Sequence, residues 1–376
     1  MLKLKRFVLR LGLLAAACLP ALALSVPVYT AVDLGTLGGS YSYGWSINDS
    51  GQVTGVSSIA GNAATHAFLY SAGAMTDLGT LGGDSSSGYG INNSGQVTGL
   101  AFTAGNAAAH AFLYSAGTMT DLGTLGGSYS YGWSINDSGQ VTGVSSIAGN
   151  AATHAFLYSA GTMIDLGTLG GGNSYGVGIN DSGQVTGEAS TAGNAANHAF
   201  LYSAGTMIDL GTLGGDSSSG FGINNSGQVT GQAFTAGNAA AHAFLYSAGT
   251  MTDLGALGGG NSFGVGINDS GQVIGSFLAI GAPGWYPFLY TDGTMHDLNS
   301  LLAPGFGTTL HEARSINNSG QIIANGVNGR AYLLTPESFA GTVPEPGSLA
   351  LLGIGIAGLA LASRRRRRLH GACRRI

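Results

Sequence analysis

Between Val26 and Pro336 the apolar residues come in short bursts, and none of these keeps helical spacing. The burst His66-Ala67-Phe68-Leu69-Tyr70 is the clearest. In a strand, Ala67 and Leu69 point one way and Phe68 and Tyr70 the other. A sheet wet on one face would alternate with polar residues, so both faces of this strand need cover. The surrounding pattern predicts four strands, over residues 42–48, 52–58, 66–71 and 74–79. Turn chemistry separates them. Asn48-Asp49-Ser50-Gly51 suits a tight turn, with Asn leading and Gly closing. Ser71-Ala72-Gly73 suits a second hairpin, and Gly61-Asn62-Ala63-Ala64 a longer loop.

This unit recurs at a step of 44 residues. His-Ala-Phe-Leu-Tyr begins at His66, His110, His154, His198 and His242, and the next two steps land on Tyr286 and Arg330. Asp33, Asp77, Asp121, Asp165, Asp209, Asp253 and Asp297 keep the same period. The string Ile-Asn-(Asp/Asn)-Ser-Gly-Gln places Asn48, Asn92, Asn136, Asn180, Asn224, Asn268 and Asn317, of which only the last is displaced. Four short strands in a unit of this length fit one propeller blade. Residues 28–33 are a spare copy of the fourth strand, and the last unit runs out at Pro336 without one. The expected fold is therefore all-β: a seven-bladed β-propeller whose leading strand completes the final blade. Closure removes exposed sheet edges. An open β-solenoid is the competing architecture, and it would carry polar caps at both ends that are not seen. The 67 glycines of the chain would suit a disordered linker, but the regular Phe, Leu, Tyr, Ile and Val positions give every unit something to bury.

The three markers together resemble the extracellular HAF repeat family over residues 28–335. The resemblance implies an exported bacterial repeat protein and no established activity. The sixth and seventh copies depart from the pattern at the marker histidine. Near-identical units, such as those from Asp33 and Asp121, point to recent duplication.

Both ends of the chain read as addresses. Lys3, Lys5, Arg6 and Arg10 precede an apolar run that exits through Ala21-Leu22-Ala23, the pattern of a secretory signal peptide over residues 1–23, a substrate for signal peptidase. Cys18 leaves lipidation as an alternative. At the other end, Val343-Pro344-Glu345-Pro346 in a linker over 341–346 is followed by an apolar segment over 347–363 and then Arg364, Arg365, Arg366, Arg367 and Arg368. Seventeen residues make a helix of about 25 Å, barely enough to cross a bilayer. The arginines in the tail, 364–376, should stay cytoplasmic. The arrangement is similar to the PEP-CTERM sorting signal of Gram-negative bacteria. That similarity implies processing by exosortase, a transient anchor in the inner membrane and a surface destination. A permanent tail anchor is the alternative.

Charge agrees with export. Between these ends, residues 24–340 form the repeat domain, and from Leu24 to Pro346 only Arg314 and Arg330 stand against 18 acids, a balance near −16. Such a body has almost nothing to neutralise phosphates, which argues against nucleic acid as a partner. It also lacks cysteine, since Cys18 and Cys373 lie in the end segments, so disulfides and zinc-thiolate sites are excluded there.

The repeated histidines and aspartates tempt a catalytic or metal reading. Each holds the same place in its own unit, so structural roles are expected, with a metal ring at the axis as the alternative. The Asn-Asp-Ser-Gly turns hold only a fragment of a calcium loop, so no cofactor is expected and calcium remains the alternative. Ser174 and Ser262 sit in Gly-x-Ser-x-Gly strings, but no helix follows, as a nucleophile elbow requires. Asymmetry is confined to the sixth and seventh units, where Trp285, Tyr286, His311, Glu312 and Arg314 are the candidate ligand-binding residues. Tyr41, Tyr43 and Trp45, echoed by Tyr129, Tyr131 and Trp133, read as packing between blades or as faces for sugar stacking. The expected function is a non-enzymatic surface module that meets exopolysaccharide or other surface proteins, or fills the envelope as structure. A propeller hydrolase or lyase acting on polysaccharide is the alternative.

Overall fold

The doubly apolar burst forms the strand Thr65–Ser71, and its two faces are covered by different neighbours. Ala67 packs with Val97 and Phe112 of the next unit, while Phe68 packs with Val53, Ile323 and Ala331. A computed structural model of the chain, describing residues 26–281 and 283–337, places this strand third in a four-stranded antiparallel sheet. The order is Gly38–Ile47, Val53–Ile59, Thr65–Ser71 and Ala74–Asp77, from the axis outward. Seven such sheets are present among the described residues. The expected signal peptide and sorting segment lie outside them.

The seventh sheet runs Leu310–Ile316, Ile322–Gly326, Ala331–Pro336 and then Tyr29–Asp33. The leading strand pairs antiparallel with the last, from Tyr29 opposite Pro336 to Asp33 opposite Tyr332. The ring is thus closed as a seven-bladed propeller, and the open solenoid is overturned. Tyr29 is 1% exposed in the core between blades six and seven, and Arg330 reaches Asp33 at 3.1 Å.

Seven apolar clusters alternate with the seven sheets. Six are built around a fully buried phenylalanine: Phe68, Phe112, Phe156, Phe200, Phe244 or Phe288. Gly55 shows why glycine recurs on the second strand. A Cβ there would stand 2.0 Å from the Tyr43 carbonyl oxygen and 2.7 Å from the Phe68 ring. The inner strand starts at Gly38, four residues before the expected boundary at 42. Gly38 already pairs with Ile59, across a register shift that ends at Ser42.

The marker asparagines join the blades. Asn48 Nδ2 donates to Gln52 Oε1 at 2.8 Å and to the Asn92 carbonyl of the next blade at 2.9 Å. Its Oδ1 accepts Ser50 N–H and Gln52 N–H. The link repeats through Asn92, Asn136, Asn180, Asn224 and Asn268, and Asn317 returns it to the Asn48 carbonyl at 3.0 Å. A second ring lies beside it: each backbone N–H of Asp49, Asn93, Asp137, Asp181, Asn225, Asp269 and Asn318 donates to the side-chain oxygen of the next member.

Asn136 is 3% exposed and donates on both N–H bonds, to Gln140 and Asn180. Asn136→Asp replaces those donors with an acceptor facing two oxygens. It is expected to cost about 2 kcal/mol or more, and more than Asn136→Ala, in chemical denaturation at neutral pH. Equal stability of wild type and Asn136→Asp would show that the ring does not hold the blades.

Candidate functional site

The seven inner strands end together at the axis, so one register position from each blade faces the same hollow. Two residues before the marker asparagine stands an isoleucine's neighbour, and the position before that one faces inward. There the chain carries Trp45, Tyr89, Trp133, Val177, Phe221, Val265 and Arg314. They line a cavity of about 690 Å³. The isoleucines that follow, from Ile47 to Ile316, separate it from a hollow of about 160 Å³ lined by the asparagine and aspartate rings. The cavity is therefore a cup with an aromatic wall and an aliphatic floor.

The wall is uneven. Trp45 meets Tyr89 edge-on at 5.2 Å, and Trp133 stacks on Tyr175 at 6.4 Å. Arg314 is the cation in this lining. Its guanidinium carbon lies 4.5 Å from the Trp45 ring centroid and 5.3 Å from that of Tyr43. Its Nε–H donates to the Tyr43 hydroxyl at 2.5 Å, and its Nη2 pairs with Glu312. The other Glu312 oxygen meets His311 Nε2 at 3.0 Å, while His311 Nδ1 is buried without a partner. Arg314 is thus charge-balanced by Glu312 and held against the Trp45 and Tyr43 rings, able to donate to a ligand oxygen without adding net charge.

Of the five residues singled out in the sequence, Arg314 lines the cup, and Glu312 and His311 lie on the same strand, linked to it in a chain of ion pairs. Trp285 packs on the cup-lining Phe263 at 4.9 Å and stays 38% exposed. Tyr286 turns away onto Phe277 at 5.9 Å. Trp45 and Trp133 line the axial hollow and each also touches an aromatic ring of the next blade, Tyr89 and Tyr175. Tyr89, Phe221, Val177 and Val265 were missed. Their signal was variation: within a nearly constant repeat, this is one of the few positions that change in character from unit to unit.

The other candidate chemistry is structural. Each marker histidine donates from Nδ1–H to the aspartate of its own outer strand, as His66 does to Asp77 at 2.8 Å, and Asp77 Oδ1 also accepts Gly79 N–H. These pairs clasp the outer two strands, far from the axis in register. Ser174 and Ser262 are fully buried, and each accepts a backbone N–H from the preceding blade, that of Ala155 or Ala243. Among the described residues no group of three or more His, Cys, Asp or Glu side chains gathers to hold a metal.

Burial pushes the phenol of Tyr43 well above its ordinary value, although the Arg314 charge pulls the other way; burial also raises Tyr41 and Tyr89, and pushes Tyr29 up to about 12. Unfolded tyrosines ionise near pH 10. Between pH 10 and 12 the unfolded chain therefore binds fewer protons, so stability is whole below pH 10 and falls as pH rises through the folded values. Absorbance titration at alkaline pH should show tyrosines of the native protein ionising late, with one late group lost in Tyr43→Phe. Release of every tyrosine together near the ordinary value would contradict this burial.

Comparison with known proteins supports the architecture. The chain is similar to YCF48, solved with a peptide bound, at 12% identity and a TM-score of 0.52, covering 84% of this chain and 99% of that one. It is similar to the WD40 β-propeller domain of Doa1, at 12% identity and 0.50, covering 82% and 98%. The β-propeller domain of the trilobed protease from Pyrococcus furiosus, described as having an open velcro topology, matches at 10% identity and 0.50, covering 76% and 91%. At such identities the likeness is one of fold. No curated protein sequence matches the chain. Residues 342–367 match the PEP-CTERM protein-sorting motif, so the chain carries a signal that implies processing by exosortase and a destination outside the cell or at its surface.

Proposed function

We propose that this protein is an exported, non-enzymatic binding module whose axial cup takes a sugar ring of a neutral surface or matrix glycan. The observation that carries the reading is the wall of Trp45, Tyr89, Trp133 and Phe221 with Arg314 set among them. Flat aromatic faces stack on the apolar face of a pyranose, and a fixed guanidinium and the Ser46 and Ser134 positions supply polar contacts at its edge. A neutral ligand suits the site, because Glu312 already balances Arg314 and the body as a whole is acidic. Glu312 is engaged at both oxygens, which favours binding over general acid or base work. The repeat is read as HAF-type, with a signal peptide at 1–23, the Pro-Glu-Pro linker at 341–346, a transient membrane segment at 347–363 and a cytoplasmic tail at 364–376.

An array of neutral envelope and matrix oligosaccharides is the test. Trp45→Ala and Trp133→Ala should each weaken binding about tenfold without changing the thermal midpoint. An array with no bound glycan would reject the reading, and turnover of a bound glycan that is lost in Glu312→Ala would replace it with a hydrolase or lyase.

The sorting assignment has its own readout. Mass spectrometry of the exported protein should find a C-terminus that lacks the Arg364–Arg368 block. An intact block on exported protein would reject processing.

A further inference from the structure

We infer that the cup receives the end of a glycan chain and not a stretch of its middle, with Trp285 as the platform for the ring that follows. This rests on the glycan reading of the cup. The isoleucines lie between the cup and a further space of about 160 Å³ lined by the asparagine and aspartate rings, so a chain threaded through would have to pass both. The about 690 Å³ in front of the isoleucines is the size of a pocket for one short ligand. The aromatic wall lies deep, two residues from the isoleucine floor on each inner strand, so a chain laid across the mouth would not reach Trp45 or Trp133. A ligand that uses those rings has to enter end first.

The entrance is asymmetric. At the place of Trp285 the other marker units carry Thr65, Ala109, Thr153, Asn197 and Ala241. Trp285 rests on Phe263 at 4.9 Å, keeps 38% of its surface exposed, and shares its loop with Ile280, which is 80% exposed. A large flat side chain left in solvent beside the cup, in one blade of a near-symmetric ring, is a second stacking face. A terminal ring held in the cup would place its neighbour against it.

The full-length chain, titrated calorimetrically with gluco-, manno-, galacto- and xylo-oligosaccharides of increasing length, decides the matter. Affinity should rise to about three rings and then stay flat. For the glucose series, maltoheptaose should bind and β-cyclodextrin, which has the same linkage and no end, should not. Trp285→Ala should weaken the trisaccharide about tenfold and leave the monosaccharide unchanged, with Trp285→Phe restoring most of the loss. Affinity that keeps climbing with length, or equal affinity for an open chain and its ring, overturns end recognition while leaving the glycan reading intact. An unaltered trisaccharide affinity in Trp285→Ala overturns the platform. No binding across all four series overturns the glycan reading and this inference with it.

Discussion

A buried carboxamide with every donor and acceptor engaged holds this molecule together at its axis. Asn48 and its six counterparts each fold their own turn through Oδ1 and hold the next blade through Nδ2. The arrangement works only as a circle, since each blade satisfies its neighbour and the seventh satisfies the first. A buried amide left without its partner costs more than a made bond returns, so the loss of one blade would expose two faults in the ring. The adjacent ring of four aspartates and three asparagines follows the same logic, and an odd number of blades leaves Asp137 and Asp181 as neighbouring acids.

With the axis held by backbone and carboxamides, the wall above it is free to vary. Gly55 and its counterparts, Phe68 and its counterparts, and the isoleucine floor are under steric constraint, because packing between blades leaves no room for another shape. The position represented by Trp45 faces a hollow and has no such constraint. Seven nearly equal units can therefore build one unequal cup, with aromatic rings from several blades and a single arginine from the seventh. Blade six adds Trp285 from a different place, the residue before its third strand, where it rests on Phe263.

The two arginines of the body both belong to the closing blade, and each replaces a repeated feature. Arg330 stands where other units carry the marker histidine, and it clasps Asp33 as His66 clasps Asp77. The exposed ion pair adds little energy by itself. What secures the leading strand is the burial of Tyr29 and five residues of antiparallel pairing. Arg314 replaces an aromatic or aliphatic residue of the cup wall and brings Glu312 with it to balance the charge.

The period, the two-faced strand at His66–Tyr70 and the unmatched strand at residues 28–33 determined the blade, the number of blades and the way the ring closes. These follow from local patterning: alternation sets which residues are buried, turn residues set where strands end, and a strand without a partner has to find one. The sorting signal was equally legible, because it is a contiguous string. The site was not. Trp45, Tyr89 and Arg314 are far apart in the chain, and nothing in their local sequence says that an inner strand turns that residue toward the axis and not into the packing between blades. Only the closed ring decides it, because the hollow exists only once all seven strands converge.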